Sequence, residues 1–265
     1  MRSAAHTDPM TSSAQQFNAH ADKYATSEVH RAGPSLPVLL NLAAPTPADT
    51  ALDVATGTGN TALALAAHAG HVTGLDVAEG MLAHARARAE REAVRNAAFM
   101  TGSAEALPFP DAQFTLLTSR HAPHHFQHLD RFLSEAWRVL RPGGRLVIAD
   151  QISPAPDLQA WTDTYQHLRD PSHHTQRTAD AWRTLSEAAG FTWGPATTVP
   201  YRLAFDWWTA QSGCTPDTVQ RLQAHAAALS PADQARAGLI LNPEGQLIAH
   251  LEPMLVVRLD KPARS

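Results

Sequence analysis

The chain has 265 residues, a formal net charge of −4, and 44% hydrophobic against 17% charged residues, the balance of a globular protein long enough to bury a substantial core. Only Lys23 and Lys261 among its 21 Lys and Arg residues are lysines, and no basic block occurs, which argues against nucleic acid as a partner. Cys214 is the single cysteine, which excludes an internal disulfide and a Cys-rich zinc site; the first ten residues hold no apolar signal core, and no run approaches the ~18 apolar residues of a membrane span. A cytoplasmic, reducing compartment is the expectation.

Residues 1–11 are polar and expected to be disordered. Residues 12–45 read as a helical cap, with Ser12 or Ser13 as an N-cap and Pro34 and Pro37 near the start of a second helix carrying Leu36, Leu39, Leu40 and Leu42. From Thr50 the pattern alternates. "TALDVAT", "HVTGLDV", "AAFMTGS", "QFTLLTSR" and "RLVIADQI" are short apolar strands. Between them lie the helical stretches "TALALAAHAG", "AEGMLAHARARAERE" and "LDRFLSEAWRVL", the last closed by the turn "RPGG". Strands of this length alternating with helices indicate βαβ units and a doubly wound, mostly parallel α/β sheet over residues 46–152. Later, "TADAWRTLSEAAGF" reads as a helix, "TWGPATTVPYRLAF" as a strand interrupted by turns, and "EPMLVVRLDK" as a closing strand, giving seven strands in one domain. Segments 153–178 and 204–250 are expected to be insertions that cover the binding edge as lid or substrate-recognition elements.

"LDVATGTGNTA" carries Gly57-x-Gly59-x-x-Ala62, and Asp76 follows nineteen residues after Gly57 at the end of the second strand. A strand, a glycine turn, a helix and then an acid is a nucleotide-binding arrangement, with close backbone approach at the glycines and ribose hydroxyls on the acid. Asp53, beside the loop, opposes a pyrophosphate and suits a cationic ligand such as the ammonium and sulfonium of S-adenosylmethionine. No Gly-Lys-Ser/Thr follows, which excludes a P-loop.

"SRHAPHHFQH", residues 119–128, puts four histidines at the carboxyl end of strand four, the edge where such sheets bind ligands. His121, His124, His125 and His128 share helical spacing, but Pro123 breaks the helix that a metal site would need, so no metal is expected. His173, His174 and Asp150 would join such a site only if a lid folded onto the same edge. His128 reads as an exposed residue at a helix start. His124 or His125 is the candidate for orienting or deprotonating a substrate, since imidazole titrates near working pH.

In order and spacing, "LDVATGTGNTALALA", "VTGLDVAEGMLAHAR", "GSAEALPFPDAQFTLLTSR" and "EAWRVLRPGGRLVIAD" resemble the motifs of class I S-adenosylmethionine-dependent methyltransferases. The nearest branch is the ubiquinone/menaquinone-biosynthesis-type (methyltransferase type 11) group acting on small molecules. The resemblance covers residues 50–152, and more loosely "HADKYATSEVHRAG" and "LRDPSHH". It implies a seven-stranded Rossmann-like fold, S-adenosyl-L-methionine as methyl donor with S-adenosyl-L-homocysteine as product, and a small-molecule acceptor methylated on O, N or C by a monomer or homodimer.

Carried over by matched motif, Asp53, Ala55, Gly57 and Gly59 line the methionine and ribose side and Asp76 takes the ribose hydroxyls. Val77 and Met81 pack the adenine, with Ser103 and Ala104 at its edge. Many relatives have an acid where Ser103 stands, which leaves Glu105 or backbone groups to meet the adenine amine. Arg120 lies near the cofactor carboxylate, and Tyr24 and Arg31 close over the cofactor. Two other readings compete: an NAD(P)-dependent oxidoreductase, on the Gly57/Gly59/Asp76 pattern, and a cofactor-binding protein of the same fold without methyl transfer.

Overall fold

The computed structural model describes residues 13–18, 21, 31 and 33–263. The expected disorder of residues 1–11 and the position of Tyr24 lie outside the described residues. Helical residues 13–18 precede α1 (Ser35–Ala43), and then strands and helices alternate: β1 (Thr50–Val54), α2 (Asn60–Ala66), β2 (His71–Asp76), α3 (Glu79–Arg91), β3 (Ala97–Thr101) and β4 (Phe114–Arg120). After a 3₁₀ turn at Pro123–His125 come α4 (Leu129–Val139), β5 (Leu140–Gln151), α5 (Gln159–Arg169), α6 (Ala179–Ala188) and β6 (Thr192–Ala204). The chain continues through α7 (Phe205–Gln211), α8 (Pro216–Ala227), α9 (Pro231–Arg236), β7 (Leu239–Leu241) and β8 (Leu247–Asp260).

The sheet order is β3-β2-β1-β4-β5-β8-β6. β3, β2, β1, β4 and β5 pair in parallel, and β8 runs antiparallel to both β5 and β6. The expected doubly wound α/β sheet is therefore present, with one strand more than the seven predicted. The extra strand is β7, three residues within the 204–250 segment, which pairs with the start of β8 (Leu239 opposite His250) beyond the reach of β5, whose pairing begins at Met254. That part of the segment belongs to the sheet, because the free edge of β8 needs hydrogen-bond partners.

Period-two alternation distributes the strands over two cores. Leu52, Leu117, Leu146 and Ile148 face the layer formed by Phe132, Leu133 and Ala136 of α4 and Trp182 of α6. Their neighbours Ala51, Leu116, Val147 and Ala149 face Leu39 and Ala43 of α1, Ala62 and Leu65 of α2, and Tyr165, Trp208 and Leu222 of the later helices. α4 shows why such sequences become helices: Leu129, Phe132, Leu133, Ala136 and Val139 recur at intervals of three and four and are all buried, while Asp130 and Arg131 face solvent.

A buried ion pair braces the end of the sheet away from the site. Asp49 accepts from both terminal nitrogens of Arg145 (3.0 and 2.9 Å), from Thr115 Oγ1 (2.7 Å) and from the Thr46 amide (2.8 Å). Burial pushes its pKa up, but hydrogen bonds from Arg145, Thr115 and Thr46 outweigh that and hold the carboxyl below its ordinary range. Removing one charge of such a pair leaves the other buried and uncompensated, so Asp49→Asn should lower stability in urea denaturation by ~3–5 kcal/mol at pH 7. The contribution is fully present above the unfolded-state pKa of about 4, so the gap from wild type should shrink as pH falls below it.

Candidate active site

Strand order reverses between β1 and β4, so the chain leaves their carboxyl ends toward opposite faces and opens a crevice there. The loop after β1 turns through three left-handed residues, Ala55 (φ 55°), Gly57 (φ 54°) and Gly59 (φ 79°). A Cβ on Gly57 would project into empty space, with nothing within 4 Å, whereas one on Gly59 would meet Ala85 and Phe99 at 3.0–3.2 Å. Gly57 thus keeps the crevice open. Gly59 instead lets the loop pack against α3 and β3, and it does not line the cavity.

Asp53 also lies elsewhere than expected. It is 1% exposed and sits beneath the loop, accepting from Thr56 Oγ1 (2.6 Å) and Thr118 Oγ1 (2.7 Å). Burial raises its pKa to about 6 against the pull of Thr56, Thr118 and Arg120. Its carboxylate, buried and not part of the crevice lining, shapes the loop and contributes charge from behind it.

The crevice is open to solvent and is lined by Ala55, Gly57, Asp76, Val77, Met81, Ser103, Ala104, Glu105 and Arg120, together with Thr56, Thr61, His121 and His125. Asp76 ends β2 and accepts from the Gly57 amide (2.8 Å) and the Ala78 amide (2.9 Å). One acceptor site on each oxygen is thereby used, and a carboxylate has about four. Burial raises its pKa, opposed by these amides. Arg120, last in β4 and buried, donates from Nε to Thr61 Oγ1 (3.0 Å). Glu105 Oε1 accepts from the amides of Gln127 (2.8 Å) and His128 (3.1 Å) and so also fastens the turn before α4. Arg31 is exposed and lines neither this crevice nor the one beside it.

A second, smaller cavity, also open to solvent, adjoins the first and shares Phe17, His121 and His125 with it. It adds His124 and Gln151 from the sheet edge, Arg169 and Asp170 at the end of α5, Tyr201 and Leu203 of β6, Trp207 and Trp208 of α7, and Glu252 of β8. The histidine stretch therefore forms the partition. His125 Nδ1 lies 3.0 Å from the Ser172 carbonyl, which only accepts, so Nδ1 carries the hydrogen and Nε2 is an acceptor without a described partner. Burial lowers the His125 pKa, opposed by Asp170 and Ser172, and keeps the ring neutral.

His124 Nδ1 is 2.7 Å from Asp150 Oδ1. Burial, then the neighbouring histidines, pushes the His124 pKa down, while burial raises that of Asp150. The short contact fixes the His124 ring against Asp150. His128 is exposed at the N-cap of α4. Segment 153–178 does fold onto this edge: the amides of His174 and Thr175 donate to the His124 carbonyl (3.0 and 3.1 Å). His173 Nε2 turns to Asp163 (3.1 Å). Among the described residues, no group of three or more His, Cys, Asp or Glu side chains is placed to hold a metal.

Glu252 was not anticipated from sequence, because it lies inside the apolar closing strand with no motif around it. It is 7% exposed, and Oε1 accepts from Gln166 Nε2 (2.6 Å). With the Gln151 amide oriented to match donors with acceptors, its nitrogen also faces both Glu252 oxygens (3.1 and 3.3 Å). Burial raises the Glu252 pKa to about 7, opposed by Arg169 and Gln166.

Residues 52–148 match the methyltransferase-domain family Methyltransf_11. The chain is 29% identical over 234 residues to the uncharacterized methyltransferase YcgJ of Bacillus subtilis, covering 88% of this chain and 92% of that protein. The crystal structure of YcgJ superposes with a TM-score of 0.83 over 87% of this chain and 99% of that one. BH2331 of Bacillus halodurans is 29% identical, with a TM-score of 0.83 over 87% of this chain and 100% of that one. The ubiquinone/menaquinone biosynthesis C-methyltransferase UbiE of Brucella anthropi is 44% identical over 105 residues, which is 38% of this chain and 40% of that protein. Motifs, fold and relatives agree: the chain belongs to the class I methyltransferases.

Proposed function

We propose that the protein transfers a methyl group from S-adenosyl-L-methionine to a small molecule held in the second cavity. The observation that carries this reading is the shared wall: His125, His121 and Phe17 line both cavities, so a donor in the first and an acceptor in the second meet at these side chains. The first cavity fits the donor. Asp76 has acceptor capacity for ribose hydroxyls, Arg120 supplies a buried cation for a carboxylate, Val77 and Met81 form an apolar wall suited to adenine, and the bare Gly57 leaves room for close approach.

S-adenosyl-L-methionine supplies an electrophilic methyl group, already activated on a sulfonium, and becomes S-adenosyl-L-homocysteine. The protein's own contribution is alignment, exclusion of water and management of one proton. His125 Nε2, a neutral acceptor at the junction, receives the proton that an O–H, N–H or acidic C–H acceptor loses as its new bond to carbon forms. His124, its ring fixed by the bond to Asp150, helps to orient the acceptor beside it. Segment 153–178, tied to His124 and His125 through residues 172–175, excludes water from the same edge. The oxidoreductase alternative gains nothing from the site: no second lobe for a nicotinamide is needed to account for the two cavities, and the family is one of methyltransferases.

Isothermal titration should show binding of S-adenosyl-L-methionine and S-adenosyl-L-homocysteine but not of NADH, with Asp76→Ala weakening both by at least ~10-fold, since a lost charge-assisted hydrogen bond costs ~1.5–3 kcal/mol. Tight NADH binding without S-adenosyl-L-homocysteine binding would overturn the proposal.

His125→Ala should keep its affinity for S-adenosyl-L-homocysteine while turnover of any acceptor used by the wild type falls by ~10²–10⁴-fold. Unchanged turnover in that variant would remove the proton-acceptor role. Binding of the donor with no acceptor methylated across a broad small-molecule panel would favour the non-transferring alternative.

A further inference from the structure

Several polar side chains line the second cavity that methyl transfer does not itself require. Arg169, the last residue of α5, lies over the Trp208 indole at 4.7 Å from the ring centre and donates from Nε to the Trp208 carbonyl (3.0 Å). Its two terminal nitrogens donate to no described residue, and it forms no ion pair with a described carboxylate, although Glu252 and Asp170 both lie within its electrostatic reach. Glu252, held by Gln166 and Gln151, retains acceptor capacity on a carboxyl that lines the cavity. Asp170 Oδ1 is occupied by the amide and hydroxyl of Ser172 (2.9 and 2.6 Å). Trp207, Trp208 and Leu203 supply apolar wall in the same cavity.

Charge balance narrows what can bind. A simple anion would meet Arg169 but sit against Glu252 and Asp170. A simple cation would meet the carboxyls but sit against Arg169. An apolar molecule would strip water from all three and replace none of its hydrogen bonds, at a cost for each group. A head group bearing both a planar anion and a hydrogen-bond donor satisfies Arg169 and Glu252 together. The guanidinium fork is suited to two parallel bonds with a carboxylate.

We propose that the methyl acceptor carries an α-amino- or α-hydroxycarboxylate head, with its carboxylate on Arg169 and its N–H or O–H donor on Glu252. The inference rests on the reading of the second cavity as the acceptor chamber. Arg169 and Glu252 are then the specificity-determining residues: they hold the head while the remainder of the acceptor, passing between Trp207, Trp208 and Leu203, presents its nucleophile at His125.

The test uses the full-length protein saturated with S-adenosyl-L-homocysteine, after its binding has been measured separately. The probes are a panel of L-amino acids and 2-hydroxy acids with aromatic and aliphatic side chains. Each is paired with its carboxamide and with the counterpart lacking the amine or hydroxyl, as in L-tyrosine, L-tyrosinamide and 3-(4-hydroxyphenyl)propionate. At least one acid should bind ~10-fold or more tighter than both of its counterparts, the discrimination one well-made charged hydrogen bond provides. Arg169→Gln should abolish the preference over the carboxamide, and Glu252→Gln the preference over the counterpart without the donor, with S-adenosyl-L-homocysteine affinity unchanged in both. Should Arg169→Gln fail to fold, Arg169→Lys keeps the charge without the fork and should show an intermediate preference. A wild type that binds S-adenosyl-L-homocysteine but prefers no acid over its carboxamide, or preferences that survive in the variants, would overturn the inference alone. A wild type that does not bind S-adenosyl-L-homocysteine would overturn the methyl-donor reading beneath it.

Discussion

Much of the site depends on one buried carboxylate. Asp53 closes β1 and takes a hydroxyl from Thr56 in the following loop and another from Thr118 in β4. These are the two strands whose outgoing chains diverge, and the carboxylate ties them where the crevice opens. Ala55 and Gly57 hold left-handed backbone just beyond it. An Ala at such a φ costs on the order of 1 kcal/mol or more, so the loop persists only because its surroundings over-determine it. Asp53 fixes one side of it, and Asp76 fixes the other through the Gly57 amide. Two carboxylates, one beneath the loop and one beside it, set where the backbone can approach a ligand.

Burial then decides the protonation state of the second cavity. His124 and His125 are held neutral, and Glu252 is drawn up toward neutral pH. Their partners fix both rings: the Ser172 carbonyl holds the hydrogen of His125 on Nδ1, and the Asp150 carboxyl holds the His124 ring in place. Asp150 is the last acid of the fifth strand and Ser172 comes from the segment that folds across the edge. Two adjacent histidines are thus held by partners that lie 26 and 47 residues away.

Local patterning carried far for the fold. Alternating apolar strands, helices with three- and four-residue spacing, and turn residues after each element identify the parallel core, because each of these signals is set by neighbours in the chain. The expected turns within "TWGPATTVPYRLAF" proved to be a single strand with one irregularity between Trp193 and Ala196, since pairing with β8 supplies the hydrogen bonds that its glycine and prolines put at risk. Leu239–Leu241 was missed for the complementary reason: three residues have no period, and only the free edge of β8 makes them a strand. The placement of Asp76, Arg120 and His125 along the crevice was readable because each closes or follows a recognisable strand. Asp53 and Gly59 were readable as important residues but not as ones that stand back from the cavity, since side-chain direction at a strand end depends on what the loop does next.

By itself, then, the sequence determined the α/β alternation, the carboxyl edge as the edge where a crevice opens, the glycine loop with its two acids, and the histidines at the end of strand four. All are properties of short stretches in which type and spacing define the outcome. Tertiary structure alone decided that Arg169, Trp208 and Glu252 share one cavity with His124, because they come from α5, α7 and β8 and meet only once the sheet and its later helices have closed. No local period brings such residues together; the burial that does so also sets which of them hold a proton.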